Sequence, residues 1–307
     1  MFIASTVSSS VVERLGRLLI TVCTGMSLVR IQPDPQHTDV FISTRSDATL
    51  ITVLSLGAGV QSTTVALMAA VGEIKPMPDC AIFADTRWEP KAVYDHLDRL
   101  TAALPFPVHV VSAGNLREDQ MTRSNTTKGR FAAIPWYILS PKGKAGMGRR
   151  QCTQEYKLKP IKKLIVELLG GKRPKSGCEM WIGISTDEAV RMKPSRVAYI
   201  TNRFPLIERN MSRQACKEWL SLHEWDAPRS ACIGCPFRKD SQWRALTSEE
   251  FADAVEVDKT IRNQPGYRGQ LFAHRSMKPL SEVDFSTVEE RDQLNMFNNE
   301  CEGMCGV

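Results

Sequence analysis

A short loop rich in glycine and serine joins an apolar run to a helical pattern near residue 55. The run LITVLSL (50–56) is typical of a buried strand, and the sequence QSTTVALMAAVG (61–72) is typical of a helix. The residues SLGAGVQS (55–62), here called the glycine loop, therefore form a strand-to-helix turn. An α/β protein binds phosphate at such a turn, because the N–H groups and the positive end of the helix dipole face the anion.

Gly57 and Gly59 let the backbone N–H groups of the glycine loop approach an anion closely, while Ser55 and Ser62 add hydroxyl donors. On the glycines alone, a turn that holds no ligand is an equally good interpretation. The loop is not a Walker A loop, since no Gly-Lys-Ser/Thr follows it, and it does not match the G-x-G-x-x-G dinucleotide fingerprint.

Short apolar runs alternate with helical patterns up to about residue 200. Strands are predicted at 50–55, 79–85, 107–112 and 179–184, and helices at 61–71, 90–103 and 160–170. This β-α-β-α order predicts an α/β fold with a doubly wound, Rossmann-like parallel sheet.

Beyond residue 200 the pattern changes to helices without clear strands, including a helix at 247–262 that opens with the capping box TSEE. We therefore divide the chain into three parts. Residues 1–47 are expected to be a poorly ordered or accessory leader, residues 48–200 a nucleotide-binding domain, and residues 201–307 a helical, cysteine-containing C-terminal subdomain.

Positive charge is concentrated in one segment. Residues 121–175 contain fourteen lysines and arginines and two acids, a charge of +12 in a chain whose net charge is +6. A solvated helix surface is the simpler interpretation, but this density favours a polyanionic partner, either a nucleotide or a nucleic-acid backbone. No stretch is long enough to span a membrane, and the apolar residues 18–29 lack a cleavage site, so we expect a cytoplasmic protein.

The nine cysteines are expected to be reduced, which favours metal binding or catalysis over disulfides. Cys232 and Cys235 form a C-x-x-C turn with Gly234 between them, and such a turn can direct both thiolates at one metal or cluster. A pair alone needs two further ligands. Four further cysteines are interpreted as small, buried hydrophobic residues: Cys23, Cys80, Cys178 and Cys216.

Five segments, in order along the chain, resemble the motifs of the phosphoadenosine phosphosulfate (PAPS) reductase family and its ATP pyrophosphatase relatives in the adenine nucleotide alpha hydrolase superfamily. SLGAGVQS (55–62) resembles the PP-loop, and FADTRWEP (83–90) resembles the Asp-Thr-x-x-Glu segment after the second strand. RRQCTQEYKLKPIKK (149–163) resembles the basic segment that contains a cysteine. GISTDEAVRM (183–192) resembles the substrate loop, and FPLIE (204–208) the segment after it.

The resemblance implies an adenine nucleotide hydrolase-like fold that binds ATP, or PAPS as substrate, together with Mg²⁺. The nucleotide-binding residues that it implies are Ser55, Gly57, Ala58, Gly59, Gln61, Ser62, Asp85, Thr86 and Gly183. The catalytic residues that it implies are Asp85, Glu89, Lys157, Arg191 and Cys301. Arg149, Arg150, Lys157 and Lys159 are expected to contact a polyanion.

Two of these expectations have a competing interpretation. The loops that cleave ATP usually carry an acid just before the last serine, whereas this loop has Gln61, and an amide is a poorer Mg²⁺ ligand than a carboxylate. Asp85 lies at the carboxyl end of a predicted strand, where doubly wound folds bind ligands, but it is also a candidate helix cap with Glu89 in the first turn.

Relatives in this branch carry iron–sulfur clusters at cysteines from the basic segment and a C-x-x-C. The resemblance therefore implies a [4Fe-4S] cluster at Cys152, Cys232 and Cys235, with a fourth ligand from Cys301 or Cys305. Zinc bound by the same thiolates is the alternative.

Two enzymatic functions follow. The first is an ATP pyrophosphatase that adenylates a nucleic-acid or nucleoside substrate for sulfur transfer, aided by a sulfur donor or reductant protein. The second is a sulfonucleotide reductase in which Cys301 attacks the sulfate sulfur, since NECEG (299–303) partly resembles the terminal Glu-Cys-Gly motif of those reductases. A nucleotide-binding regulatory module is a third, non-catalytic interpretation.

Overall fold

A computed structural model describes residues 50–122, 134–171, 174 and 176–285. The predicted leader and both terminal cysteines, Cys301 and Cys305, lie outside these residues. The strands are β1 (Ile51–Leu56), β2 (Cys80–Asp85), β3 (Val108–Ser112), β4 (Tyr137–Leu139), β5 (Ala145–Met147), β6 (Cys178–Ile182), β7 (Ile200–Arg203) and β8 (Gln270–Phe272). The α-helices are α1 (Val60–Ala70), α2 (Lys91–Ala103), α3 (Leu116–Thr122), α4 (Lys159–Leu168), α5 (Pro205–Glu208), α6 (Arg213–Leu222), α7 (Asp240–Arg244) and α8 (Ser248–Ile261).

Five parallel strands form the main sheet in the order β3-β2-β1-β6-β7. The chain proceeds outward from β1 to β3 and then returns to the other side of β1 with β6 and β7. The two neighbours β1 and β6 thus flank the position where the strand order reverses, which is where open α/β sheets bind ligands. The expected doubly wound α/β fold is confirmed.

Both faces of the main sheet are covered by helices, which explains the nearly continuous apolar strands. Leu54 on β1 and Phe83 on β2 pack against α1, α2 and α6 on one face. Val53 and Ile82, which point to the opposite face, pack against α4. This alternation follows from the two-residue period of a strand.

A second, antiparallel sheet has the order β5-β4-β8, and with α8 it surrounds a separate apolar core. Trp136 and Trp243 are buried in this core, and Trp88 joins it from the segment after β2. The capping box expected at Thr247 is present, since the Thr247 hydroxyl accepts the Glu250 N–H at 3.2 Å and the Glu250 carboxylate accepts the Thr247 N–H. The expectation that no strands follow residue 200 is wrong, because β7 ends the main sheet and β8 ends the second one.

Three of the four cysteines expected in apolar surroundings are described, and all three are buried and reduced: Cys80, Cys178 and Cys216. Burial raises the pKa of Cys80 and of Cys178 to about 12, so both remain thiols. In the described part of the chain, no helix combines the length and the apolar character needed to cross a membrane.

The carboxyl end of β6 lies directly against the first turn of α1. A Cβ atom at Gly183 would stand 2.9 Å from the backbone nitrogen of Ser62 and 3.1 Å from the carbonyl carbon of Gln61. Real Cβ atoms do not approach backbone so closely, so only glycine lets the two segments meet.

We expect Gly183→Ala to destabilise the protein by about 1–3 kcal/mol, because the added methyl group must push β6 away from α1. Gly146→Ala is the matched control, since its Cβ would have no neighbour closer than 4.0 Å. Urea unfolding of the two variants measures the difference. Equal midpoints would contradict the close approach.

Candidate functional site

The glycine loop turns tightly between β1 and α1. Ala58 has a φ of 53°, a left-handed conformation that costs a residue with a side chain about 1–2 kcal/mol, and its side chain is fully buried. Gly59 is the N-cap of α1. The Ser62 hydroxyl accepts the N–H groups of Gly57 at 3.2 Å and Gly59 at 3.3 Å. Ser62 therefore holds the loop in shape, a role that sequence reasoning did not assign to it.

Gln61 ties the glycine loop to two other segments, although its side chain is completely buried. Its amide nitrogen donates to the Ser185 hydroxyl at 3.3 Å and to the Glu188 carboxylate at 3.0 Å. Its amide oxygen accepts a hydrogen bond from Nη1 of Arg213, the first residue of α6, at 2.9 Å. The starts of α1 and α6 and the segment after β6 thus meet at one side chain.

The segment after β6 carries the expected residue Arg191 on a short 3₁₀-helix (Thr186–Arg191). Arg191 forms an ion pair with Glu188. Asp187 accepts hydrogen bonds from the Ser185 hydroxyl, at 3.2 Å, and from the backbone N–H of Arg213. These contacts place both acids of the TDE sequence next to the glycine loop.

A buried ion pair lies at the carboxyl end of β2. Nζ of Lys157 is 3.2 Å from Oε1 of Glu89, and the two side chains are only 11% and 1% exposed. The same carboxylate oxygen accepts the Thr86 hydroxyl at 3.1 Å and lies 3.6 Å from the sulfur of Cys232. The second oxygen, Oε2 of Glu89, is buried and has no hydrogen-bond partner.

Asp85 is close to this cluster but has other partners. Its Oδ1 atom accepts the Arg87 N–H at 2.7 Å and the Tyr94 hydroxyl at 2.8 Å. Burial, and secondly the Asp85 carboxylate, raise the pKa of Tyr94 well above its usual range, so the phenol remains a donor. Helix α2 is capped at Pro90, so neither Asp85 nor Glu89 takes the capping position that was considered from sequence.

Lys157 lies on a π-helical turn (Thr153–Leu158) that precedes α4. Such turns are rare and occur frequently at functional sites. The turn is held by a hydrogen bond from the Tyr156 hydroxyl to the buried Asp119 of α3. It directs Cys152, Thr153 and Lys157 toward the same cavity.

This cavity, here called the cysteine cavity, brings together three cysteines that are distant in sequence. Cys152 precedes the π-helical turn, and Cys232 and Cys235 belong to the C-x-x-C turn. The other lining residues are Thr86, Leu116, Ile134, Pro135, Arg150, Thr153, Lys157, Ala231, Pro236 and Phe237. The lining is thus apolar apart from the thiols, two hydroxyls and two cations.

Burial raises the pKa of the Cys232 thiol well above its ordinary value, and the neighbouring Glu89 carboxylate adds to this effect, while the Lys157 ammonium opposes it. Among the described residues, no group of three or more His, Cys, Asp or Glu side chains is arranged to hold a single metal ion.

Two residues that the sequence analysis did not select hold the C-x-x-C turn. The buried Arg238 guanidinium donates to the carbonyl oxygens of Ala231, Cys232 and Ile233 at 2.8 to 3.2 Å. The ring of Trp88 occupies the space where a side chain at Gly234 would stand, 2.2 Å from the Cβ position. Sequence reasoning could have found Arg238 from its position three residues after Cys235. No local pattern indicates the contact of Trp88 with Gly234.

Lys157 also connects the cysteine cavity with the glycine loop. A second, small cavity beside Lys157 is lined by Ser55, Gly57 and residues of β2 and α4. Lys157 thus lines a cavity in each of the two regions in which the sequence analysis places chemistry.

The four expected polyanion contacts are separated in the structure. Lys157 is buried, and Arg150 lies in the cysteine cavity with its guanidinium 5.4 Å from the centre of the Phe237 ring. Arg149 and Lys159 are exposed, and Lys159 forms an ion pair with Glu155. Lys159 and Lys163 line an open groove at the carboxyl end of β3.

In a comparison with solved structures, the chain is similar to the crystal structure of phosphoadenylyl-sulfate (PAPS) reductase from Candida auris in its phosphate complex. The TM-score is 0.38 and the sequence identity 16%, over 57% of this chain and 74% of the reductase. A likeness of this size does not assign the chain to a family. No protein-family model matches the sequence, and no curated protein is similar enough to count as a relative.

We expect Lys157→Met to destabilise the protein by about 3–5 kcal/mol, because it leaves the Glu89 carboxylate buried without its cation. Adding Glu89→Gln should recover much of this loss. Lys159→Met is the control, since its exposed pair with Glu155 contributes about 0–1 kcal/mol. Urea unfolding measures all four variants, including Glu89→Gln alone, and strictly additive losses would show that the two side chains do not interact.

Proposed function

We propose that this protein is a nucleotide-dependent enzyme that binds ATP at the glycine loop and adenylates a nucleic-acid or nucleoside substrate for sulfur transfer. One observation carries the proposal. Lys157 lines both the cysteine cavity and the small cavity beside the glycine loop, so the region proposed to bind phosphate and the region with three cysteines share one buried residue.

The glycine loop supports phosphate binding on three grounds. It lies at the position where the strand order reverses, and the eleven-residue α1 directs its N-terminus at it. Ala58 is held in a left-handed conformation, and such strain clusters at ligand-binding sites. Lys157 lines the same small cavity as Ser55 and Gly57.

In the proposed reaction, a substrate oxygen attacks the α-phosphorus of ATP and pyrophosphate leaves. A sulfide-level sulfur supplied by a donor protein then attacks the substrate carbon that carries the adenylated oxygen, and the carbon–oxygen bond breaks so that AMP leaves with that oxygen. Lys157 would stabilise negative charge on the phosphates. The exposed cations Arg149, Lys159 and Lys163 would contact the acceptor's phosphate backbone.

We propose that the three thiols lining the cysteine cavity bind an iron–sulfur cluster, because thiolate sulfur is the usual ligand of such clusters. Cys152, Cys232 and Cys235 would each bind one iron, with Cys301 or Cys305 as the fourth ligand, and the apolar wall would exclude water. The Lys157 ammonium opposes the rise that burial causes in the pKa of Cys232, and binding of iron would displace the thiol proton. When bound, such a cluster supplies electrons or an iron to which sulfur can bind. Zinc on the same thiolates is the competing proposal.

The described residues suit a protein-bound Mg²⁺ ion less well than they suit the proposed cluster. Four described carboxylates at this edge of the sheet are engaged with the protein itself: Asp85 with an N–H and a phenol, Asp187 with a hydroxyl and an N–H, Glu188 with Gln61 and Arg191, and Oε1 of Glu89 with Lys157, which leaves only the buried Oε2 of Glu89 without a hydrogen-bond partner. We therefore assign no step to such an ion.

Sulfonucleotide reduction is the second candidate function. The engagement of the nearby carboxylates with protein groups rather than with a metal ion favours it. A reductase acts on a nucleotide that is already sulfated, so it needs no ion to assist the departure of pyrophosphate. Cys301 would then be the nucleophile rather than a cluster ligand.

We expect the anaerobically purified protein to release pyrophosphate from ATP in the presence of its acceptor, and Gly59→Val to abolish ATP binding. Gly59 has extended backbone, with a φ of −108°, so valine can adopt its conformation while its branched side chain blocks the N–H groups. Gly146→Val, on the edge strand β5, is the control. Calorimetry measures binding, and sulfite release from PAPS without pyrophosphate release from ATP would favour the reductase.

We expect the same protein to be brown, and alanine at Cys152, Cys232 or Cys235 to bleach it. Cys80→Ala, in the core beneath the main sheet, should leave the colour unchanged. Absorption spectra and iron and sulfide content measure the effect. Stoichiometric zinc without iron would refute the cluster and leave the three cysteines as a zinc site.

A further inference from the structure

A groove of about 600 Å³ lies between two turns at one end of the second sheet. One wall is the β4–β5 turn (139–143), and the other is the connection from α8 to β8 (263–270). Its volume falls within the range of roughly 300–1,000 Å³ that small-molecule sites occupy. We call it the amide groove, because Asn263, Gln264 and Gln270 line it and none of its lining residues is charged.

The protein itself fixes the walls of the amide groove. In the β4–β5 turn, the Gly143 N–H donates to the carbonyl oxygen of Ser140 at 2.9 Å, and the Lys144 N–H donates to the Ser140 hydroxyl at 2.9 Å. The two walls meet at Gly269, where a Cβ atom would stand 2.4 Å from the carbonyl oxygen of Leu139. The groove is therefore already formed before a ligand binds.

Asn263 and Gln270 offer a hydrogen-bond acceptor and a donor to a ligand. Both side chains are exposed, and the amide nitrogen of Gln270 donates to the amide oxygen of Asn263 at 3.4 Å. Within the described part of the chain, the Gln270 oxygen and the Asn263 nitrogen take part in no other hydrogen bond. Nucleobases carry donors and acceptors side by side on their edges, and Asn and Gln side chains pair with them, adenine above all.

Tyr267 gives the amide groove an aromatic wall. Its side chain is partly exposed and packs against the core that contains Trp136. A ring that is held by packing and borders an open groove is suited to stack on an unpaired base, because every base has a π-face. The lining thus combines a stacking surface with groups that can contact the edge of a base.

Three cations surround this uncharged lining. Lys142 and Lys144 lie in the β4–β5 turn and Arg268 lies in the connection from α8 to β8, and all three are exposed. Lys142 and Lys144 also belong to the basic segment 121–175. A neutral groove with cations at its rim matches a ligand that has uncharged bases on a negatively charged backbone.

Strand β4 joins the amide groove to the cysteine cavity. Pro135 lines the cavity and Leu139 lines the groove. Four residues of extended chain span about 13 Å, because a strand rises about 3.3 Å per residue. A stacked single strand rises about 3.4 Å per nucleotide, so about four nucleotides cover this distance. One bound strand can therefore reach both sites.

We propose that the amide groove binds a base of a single-stranded nucleic acid. Tyr267 stacks on the base, the amides of Asn263 and Gln270 contact its edge, and the three cations at the rim contact the backbone. The binding itself does not depend on the proposed reaction. The role of the groove, to hold the acceptor a few nucleotides away from the cysteine cavity, rests on the proposed function.

Fluorescence anisotropy of the full chain with a labelled oligo(dA) of about 12 nucleotides measures this binding. We expect Tyr267→Leu, which keeps an apolar side chain against the core, to weaken binding about 5- to 100-fold, because one base loses its stacking partner. Tyr267→Phe keeps the ring and should bind like the parent chain. The exposed pair Asn263→Ala and Gln270→Ala, made together, tests the groove without touching the core, and should weaken binding about 5-fold or more.

The salt dependence of binding tests the rim of the groove. We expect Lys142→Ala and Lys144→Ala each to reduce the slope of log Kd against log salt concentration by about one, because each removes one phosphate contact. Lys217→Ala is the matched control, since Lys217 is equally exposed but lies on α6, against the main sheet.

Unchanged affinity in both Tyr267→Leu and the double amide variant would overturn the inference. Equally tight binding of a duplex of the same sequence would also overturn it, because the bases of a duplex are already stacked and paired. Displacement of the oligonucleotide by polyglutamate at equal charge would indicate an acidic peptide instead.

Two outcomes separate this inference from the proposed function. If the oligonucleotide binds as expected but ATP releases no pyrophosphate with any acceptor, the proposed function fails and the groove stands as a nucleic-acid site. If pyrophosphate is released with a nucleoside acceptor while the groove variants bind the oligonucleotide like the parent chain, the inference fails and the proposed function stands.

Discussion

The buried pair of Glu89 and Lys157 is the interaction on which the candidate site depends. Burying a charged group away from water costs free energy, and this cost is offset only when an opposite charge lies beside it. Glu89 and Lys157 each offset the cost of burying the other. The pair connects the segment after β2 with the π-helical turn, and Cys232 lies against its carboxylate. Because Lys157 lines both cavities, removing either charge would alter the electrostatic environment of the glycine loop and of the cysteine cavity together.

The second constraint is geometric, and it concerns the space between β1 and β6. Gly183 permits the end of β6 to touch the start of α1, and this contact brings the acids of the 3₁₀-helix within reach of Gln61. Without it, the buried amide nitrogen of Gln61 would lose its contacts with Ser185 and Glu188. Packing at one glycine thus determines whether the polar network beside the glycine loop can form.

The sequence predicted four of the five strands of the main sheet because their signals are local. Four strands and four helices follow from apolar periods and caps within short windows, and the glycine loop follows from its place between two of them. The three-residue strands β4, β5 and β8 carry too few residues for a period. Contacts such as Arg213 with Gln61 or Trp88 with Gly234 join residues more than 140 positions apart, so no local pattern reveals them.

The residues that line the cysteine cavity are far apart in sequence, and this separation determines when the cavity can form. Thr86 and Cys232, which touch across it, are 146 positions apart, and Glu89 and Lys157 are 68 apart. Contacts between residues so far apart in sequence form slowly, because a long loop must close, at a cost in chain entropy, before the contact can stabilise the fold. During synthesis β1, α1 and β2 leave the ribosome well before Cys232, Cys235 and Arg238 do. The walls of the cysteine cavity are therefore complete only when most of the chain has been made.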